Sequence, residues 1–198
     1  MRAAFDKLIS WTGVAIAVIL LVAGGLLTWA NQFIGDQVHD QLSQQDIVMP
    51  EGEALSSLPK DDAAALEEFA GSPLDTGPEA RAYADHYILA HMNESSMGRS
   101  YSEVSGEFLA LSDEDKASAE GQALGQLRQT LFMGNTLRGL LLYGFAFATI
   151  GTIAGYAAIA AFAGAALLIV LSALGIRHSR RIAASDTVGV TMREPVTA

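Results

Sequence analysis

Thirty-eight consecutive residues, Gly139 to Ile176, carry no charge. As one helix they would extend about 57 Å, against roughly 30 Å of bilayer hydrocarbon. The run therefore crosses a membrane once with a large surplus, or folds back as a hairpin. A hairpin needs a turn, and the run holds no Pro, Asn or Asp, only scattered Gly. One helix is the favoured reading and the hairpin its competitor. Counting back ~22 residues from the basic edge at Arg177 places the span at residues 153–176 and leaves residues 139–152 as an apolar stem at or above the outer interface.

A second uncharged run, Leu8 to Gly35, predicts another spanning helix at residues 8–30. A cleaved signal peptide competes for this segment, since "TWA" ending at Ala30 resembles a cleavage triplet. The apolar part is longer than a signal core of about 7 to 15 residues, which favours an uncleaved anchor. Half of the chain, 51%, is hydrophobic, and the residues between the runs suffice for one small domain.

Charge fixes an expected orientation. Arg2 and Lys7 precede the first run, and Arg177, Arg180 and Arg181 follow the second. Basic flanks mark the cytoplasmic side, so residues 1–7 and a tail at 177–198 are read as cytoplasmic and residues 31–138 as extracytoplasmic. Gln32 to Arg138 holds 19 acidic and 6 basic residues, a net of −13, and the ends add 3 for the total of −10. Nothing in so acidic a segment offsets phosphate repulsion, which excludes a nucleic-acid partner. Cysteine is absent, and with it any disulfide, thiolate metal site or thiol nucleophile.

Within the acidic segment, "MPEGEALSSLP" and "GSPLDTGP" read as irregular connectors. "KDDAAALEEFA" between them reads as a short helix, with acidic residues in its first turn and Gly71 past its end. "EARAYADHYILAHM" places Ala80, Tyr83, Ala84, Tyr87, Ile88 and His91 at spacings of 3 and 4, the apolar face of a helix. "GRSYSEVSGEFLAL" is ambiguous. "SDED", Ser112 to Asp115, matches a capping box with a weaker Asp in place of Glu. From it a helix is expected to run into the second span, with a bend favoured by Gly121, Gly125 and Gly134. From about Ala183 the chain lacks periodicity and reads as a disordered tail. The predicted fold is an all-α membrane protein: two transmembrane helices flanking a small acidic helical extracytoplasmic domain, the second span continuous with a long external helix.

The residues offer little chemistry. Placing His91 one turn before Glu94 invites a metal reading, but His86 and His91 diverge by about 140° on an α-helix, so no metal site is expected. The paired carboxylates read as solvated faces. No phosphate loop or nucleophile elbow occurs, no catalytic residue is assigned and no cofactor is indicated. With no ionisable residue inside either predicted span, a channel or proton relay is a poor reading. Tyr83, Tyr87, His91 and Tyr101 are the natural lining if the external domain binds a small ligand, with core packing as the plainer role.

Small residues are more suggestive. Gly144, Ala148, Gly151, Gly155 and Ala158 recur at 4, 3, 4 and 3, and Gly151 with Gly155 is a GxxxG. Such a stripe admits close helix approach, against a partner or against the first span, where Gly24 and Gly25 lie.

Residues Phe69 to Val104 and Thr130 to Arg181 resemble a group of actinobacterial membrane proteins of uncharacterised role. The resemblance is carried by Ala82 to Ala84, His91, Gly98, Ser100, Tyr101 and Glu103, and by "TLRGLLL" from Thr136 to Leu142. Members often bear the label of an aromatic-ring-opening dioxygenase subunit; a non-haem iron site wants two His and a carboxylate in a facial set, which the spacing here does not supply. The resemblance implies an actinobacterial inner-membrane protein. The expected function is a non-catalytic accessory or structural subunit of an inner-membrane complex, with an actinobacterial respiratory supercomplex as the specific expectation. Its partners would be membrane lipids and other integral membrane subunits, or further copies of itself. The alternative is an extracytoplasmic small-ligand sensor or membrane enzyme.

Overall fold

The computed structural model describes residues 2–191, with side chains from Phe5 to Arg181. Its elements are α1 (Arg2–Ser43), α2 (Gly52–Ser56), α3 (Lys60–Leu66) with a 3-10 turn (Glu67–Phe69), α4 (Gly77–Ala82), a π-helix (Tyr83–Ile88), α5 (Leu89–Ser96), α6 (Tyr101–Ala110), α7 (Asp113–Ala117) and α8 (Ala119–Thr191). Among the described residues there is no strand, only one isolated bridge between Val48 and Pro73. Two helices, α1 and α8, are long and apolar enough to cross a membrane. The uncharged run from Gly139 to Ile176 lies wholly inside α8, which has no turn at which a hairpin could form.

Three local expectations are corrected. Ser118 is extended, and it separates α7 from α8 rather than letting one helix run on from "SDED". Its hydroxyl accepts from Gly121 N at 3.1 Å, which makes Ser118 the cap of α8. Gly125 and Gly134 mark close approaches: a Cβ on the first would meet the Phe108 ring and one on the second the Met92 thioether. The tail expected from Ala183 is helical to Thr191, while residues 192–198 lie outside the described residues.

The chain divides into two compact units. The first comprises Met1–Gln32 and Thr152–Ala198. Here the two helices run antiparallel, since Ser10 faces Gly175, Gly13 faces Ser172, Leu20 faces Gly164, Gly24 faces the Phe162 ring and Asn31 faces Gly155. On α1, Ser10, Ala17 and Gly24 are buried and Asn31 half-buried; on α8, Ala158, Ala165, Ser172 and Ser179 are buried. Each set recurs every seven residues, which keeps one face of each helix on the other over many turns. The fully buried positions of this seam are all Ser, Ala or Gly, which lets the two backbones approach closely, while Leu20, Asn31 and Phe162 pack over glycines of the facing helix.

The second unit is Phe33–Gly151. Its larger core gathers Leu42, Leu66, Ala80, Ala84 and Leu141 from five helical elements and Met49 and Leu74 from the connectors between them. A smaller core of Met92, Val104 and Leu131 joins α5, α6 and α8. The connector around Pro73 is tied down by Met49 N donating to Ser72 O at 2.9 Å and Leu74 N to Ile47 O at 2.8 Å. Two full capping boxes start helices here: Thr76 with Glu79 for α4, and Ser100 with Glu103 for α6. At Ser112 the box is incomplete. Asp115 N donates to the Ser112 hydroxyl at 3.1 Å, but the shorter Asp carboxylate accepts from that hydroxyl at 2.7 Å without reaching the backbone N–H.

Candidate functional site

The segment from Gly77 to Ser96 is helical throughout, but it is not one α-helix. From Tyr83 to Ile88 the bonding steps to i→i+5, an arrangement that is rare and concentrated at functional sites. Across the widened turn Leu89 N donates to Ala84 O, and Arg138 of α8 adds a second donor to the same oxygen. Its Nε donates to Ala84 O at 2.9 Å and a terminal nitrogen donates to Asp85 Oδ1 at 3.0 Å. Arg81 also approaches Asp85, at 3.7 Å, and lies over the Phe145 ring at 4.9 Å. The π-turn is thus held by a side chain 54 residues away in sequence.

This turn changes the face that 3- and 4-spacing predicts. Ala80 and Ala84 are buried as expected, and so is Ala82, whereas Tyr83, Tyr87 and Ile88 are half-buried and His91 is exposed. Tyr83 stacks on Tyr87 with centroids 4.7 Å apart, and Tyr87 meets His91 at 4.4 Å. Burial, with a smaller contribution from Tyr87, pushes the Tyr83 hydroxyl above its ordinary range, so it stays protonated. Tyr101 is not part of this stack. It starts α6 and packs tilted on Phe132, centroids 5.8 Å apart. Three of the four residues read as a ligand lining come together, and the fourth belongs to the smaller core.

His86 and His91 point to different neighbours. His86 Nδ1 donates to Asp62 Oδ1 of α3 at 2.8 Å. His91 Nδ1 is 2.8 Å from Tyr87 O; a carbonyl only accepts, so Nδ1 carries a proton, and in the neutral ring Nε2 is then the acceptor. No cluster of three metal-ligating side chains occurs among the described residues.

Glu79 is the most heavily bonded carboxylate in this unit. Burial pushes its pKa up, but bonds from Asp75 N at 3.0 Å, Thr76 N at 2.9 Å, the Thr76 hydroxyl at 2.8 Å and the Ser72 hydroxyl at 3.0 Å outweigh that, and the net shift is downward. Its role is to fix the connector onto the start of α4.

The small-residue stripe is divided between the units. In the second, Gly144 meets Leu42 at 3.6 Å from its Cβ position, Ala148 packs on Gly77, and Gly151 is buried. In the first, Gly155 meets Asn31 and Ala158 is buried. Within each unit the stripe therefore contacts the chain itself. On α1 the glycine pair named from sequence divides, Gly24 lying in the seam and Gly25 meeting nothing within 4 Å, and what sequence reading missed is the rest of that face, Ser10, Ala17 and Asn31, which stand among residues that are apolar all round. No protein-family model matches this chain, and no curated protein and no solved structure matches it.

Proposed function

We propose that the protein is an integral membrane subunit of structural or accessory role, with its termini in the cytoplasm and its acidic helical unit outside an inner membrane. The observation that carries this is the inverted polarity of the first unit. Its buried positions are Ser, Ala and Gly, while Leu8, Ile19, Leu26, Ile159 and Leu167 are all more than half exposed. Water does not tolerate that much outward apolar surface, and lipid does.

Two aromatic levels support a bilayer position. Trp11 and Trp29 are exposed and 18 residues apart on α1, about 27 Å of helix and close to a hydrocarbon thickness. The antiparallel pairings put exposed Tyr156 near the level of Trp29. Arg177, Arg180 and Arg181 follow beyond the level of Trp11, as a cytoplasmic edge requires.

The subunit role rests on the combination of the outward apolar faces of α1 and α8 with a separately packed helical unit. An actinobacterial respiratory supercomplex, suggested by the family resemblance, is the specific assembly to examine. Because the chain has no cysteine, topology is directly testable. Ser102→Cys is expected to react with an impermeant maleimide in intact cells and Arg181→Cys only after lysis; the reverse pattern would sink the orientation. Mild-detergent purification with mass spectrometry is expected to recover other membrane subunits in fixed stoichiometry, and isolation of this chain alone at every detergent strength would overturn the accessory role.

A further inference from the structure

A groove of about 290 Å³ lies in the second unit between α5 and α8, walled by Tyr87, His91, Met92, Met133 and Leu137 among others. Its size is at the lower end of small-molecule sites, which suits one or two fused rings. Gly134 forms its floor, where absence of a side chain lets the Met92 thioether rest on α8.

The polar groups of this groove share one character. Ser95 also lines it, and its hydroxyl donates to His91 O at 2.7 Å; Thr130 likewise donates to Gln126 O at 3.1 Å. His91 spends its proton on Tyr87 O. Each gives its hydrogen to its own helix, so what it still offers a ligand is lone pairs, and Tyr87 adds a hydroxyl. The lining includes no charged side chain, so neither an anion nor a cation would find a counter-charge there. The surrounding acidity repels anions further.

We propose that this groove binds an uncharged aromatic ring bearing a hydroxyl, a phenol or hydroquinone. The hydroxyl donates to His91 Nε2, and the ring packs on Met92, Met133 and Leu137. Thioethers suit such a role because they adapt to flat rings and make favourable sulfur–aromatic contacts. The proposal rests on the second unit alone and does not depend on topology or on partner subunits.

The test uses the full chain in lipid nanodiscs and 2-naphthol as probe, followed by its own fluorescence and by the imidazole nitrogen resonances of His91. Saturable binding, with the Nε2 resonance moving as the site fills, is the expected result. 2-Methoxynaphthalene has the same rings without the donor and is expected to bind at least tenfold more weakly to the unaltered protein. His91→Phe keeps a ring on Tyr87, removes the acceptor, and is expected to lower 2-naphthol affinity to the same extent. Partition into lipid alone, without saturation, overturns the proposal. Equal binding of the two probes, or a silent His91 resonance on saturation, overturns it as well.

Discussion

Arg138 donates to the backbone carbonyl of Ala84 at 2.9 Å, a second donor beside the Leu89 N–H that the π-turn brings to the same oxygen. The same guanidinium holds Asp85, and its side chain is only 20% exposed, so both bonds form largely out of water. Arg138→Gln removes a charged donor from the Ala84 carbonyl, which keeps Leu89 N, and from the Asp85 carboxylate, which keeps the longer contact to Arg81 at 3.7 Å. We expect a loss of about 1–3 kcal/mol, concentrated at the π-helix. Hydrogen exchange at Tyr83–Ile88 should accelerate far more than exchange in α6. Asp85→Asn leaves Ala84 bonded and keeps an amide oxygen as acceptor, so its effect should be clearly smaller.

Glu79 predicts an acid limit for the second unit. Its carboxyl titrates below the ordinary value of 4.5 in the folded state, so the folded form binds that proton less readily than the unfolded chain. The stability it provides is complete above the unfolded value and is lost as pH falls through the lower folded one. Glu79→Gln should cost about 1 kcal/mol at pH 7, the scale of a lost cap. As pH falls below the ordinary carboxyl value the difference between the variant and the unaltered protein should shrink, as urea midpoints at pH 7 and through the acid range would report.

Two glycines should answer the same substitution with opposite signs. A Cβ at Gly77 would collide with that of Ala148 and come within 3.4 Å of Phe145 Cα, with backbone on both sides unable to yield. Gly77→Ala is expected to destabilise by about 1–3 kcal/mol. At Gly106, inside α6, a Cβ meets nothing within 4 Å, so Gly106→Ala should stabilise by about 0.5–1 kcal/mol through helix propensity. Denaturant unfolding measured for both variants checks the pair.

What the sequence made legible follows from how local each signal is. The long helices declare themselves through uncharged runs, and the caps at Thr76 and Ser100 were readable, since "TGPE" and "SYSE" carry the same pattern as "SDED" with the better partner, Glu. The π-turn was not readable. Tyr83, Tyr87 and His91 fit ordinary helical spacing, and the guanidinium that bonds to the widened turn is one that the fold brings from α8. The groove is hidden for the same reason: half of its wall comes from Thr130 to Leu137, in a segment whose pattern says only that it is apolar. The heptad on α1 lay in plain view, but an all-round hydrophobic helix gives its buried face no contrast.

The seam of the first unit can be tested by a bond that the native chain lacks. A Cβ at Gly13 would lie 3.7 Å from that of Ser172, and a Cβ at Gly175 would lie 3.5 Å from that of Ser10. Disulfides favour Cβ separations of about 3.5–4.5 Å, so both pairs suit one. In this cysteine-free background, Gly13→Cys with Ser172→Cys should cross-link within one chain on mild oxidation, and Ser10→Cys with Gly175→Cys should do the same. Trp11→Cys with Leu174→Cys places both thiols on exposed outer faces and should not cross-link intramolecularly. The readout is a mobility shift on denaturing gels that reductant reverses. Because the seam repeats every seven residues, moving one partner by two positions, as in Gly13→Cys with Leu174→Cys, turns that thiol off the seam and should abolish the bond. If the shifted pair cross-links as readily as the aligned one, α1 and α8 slide past each other and the fixed register is wrong.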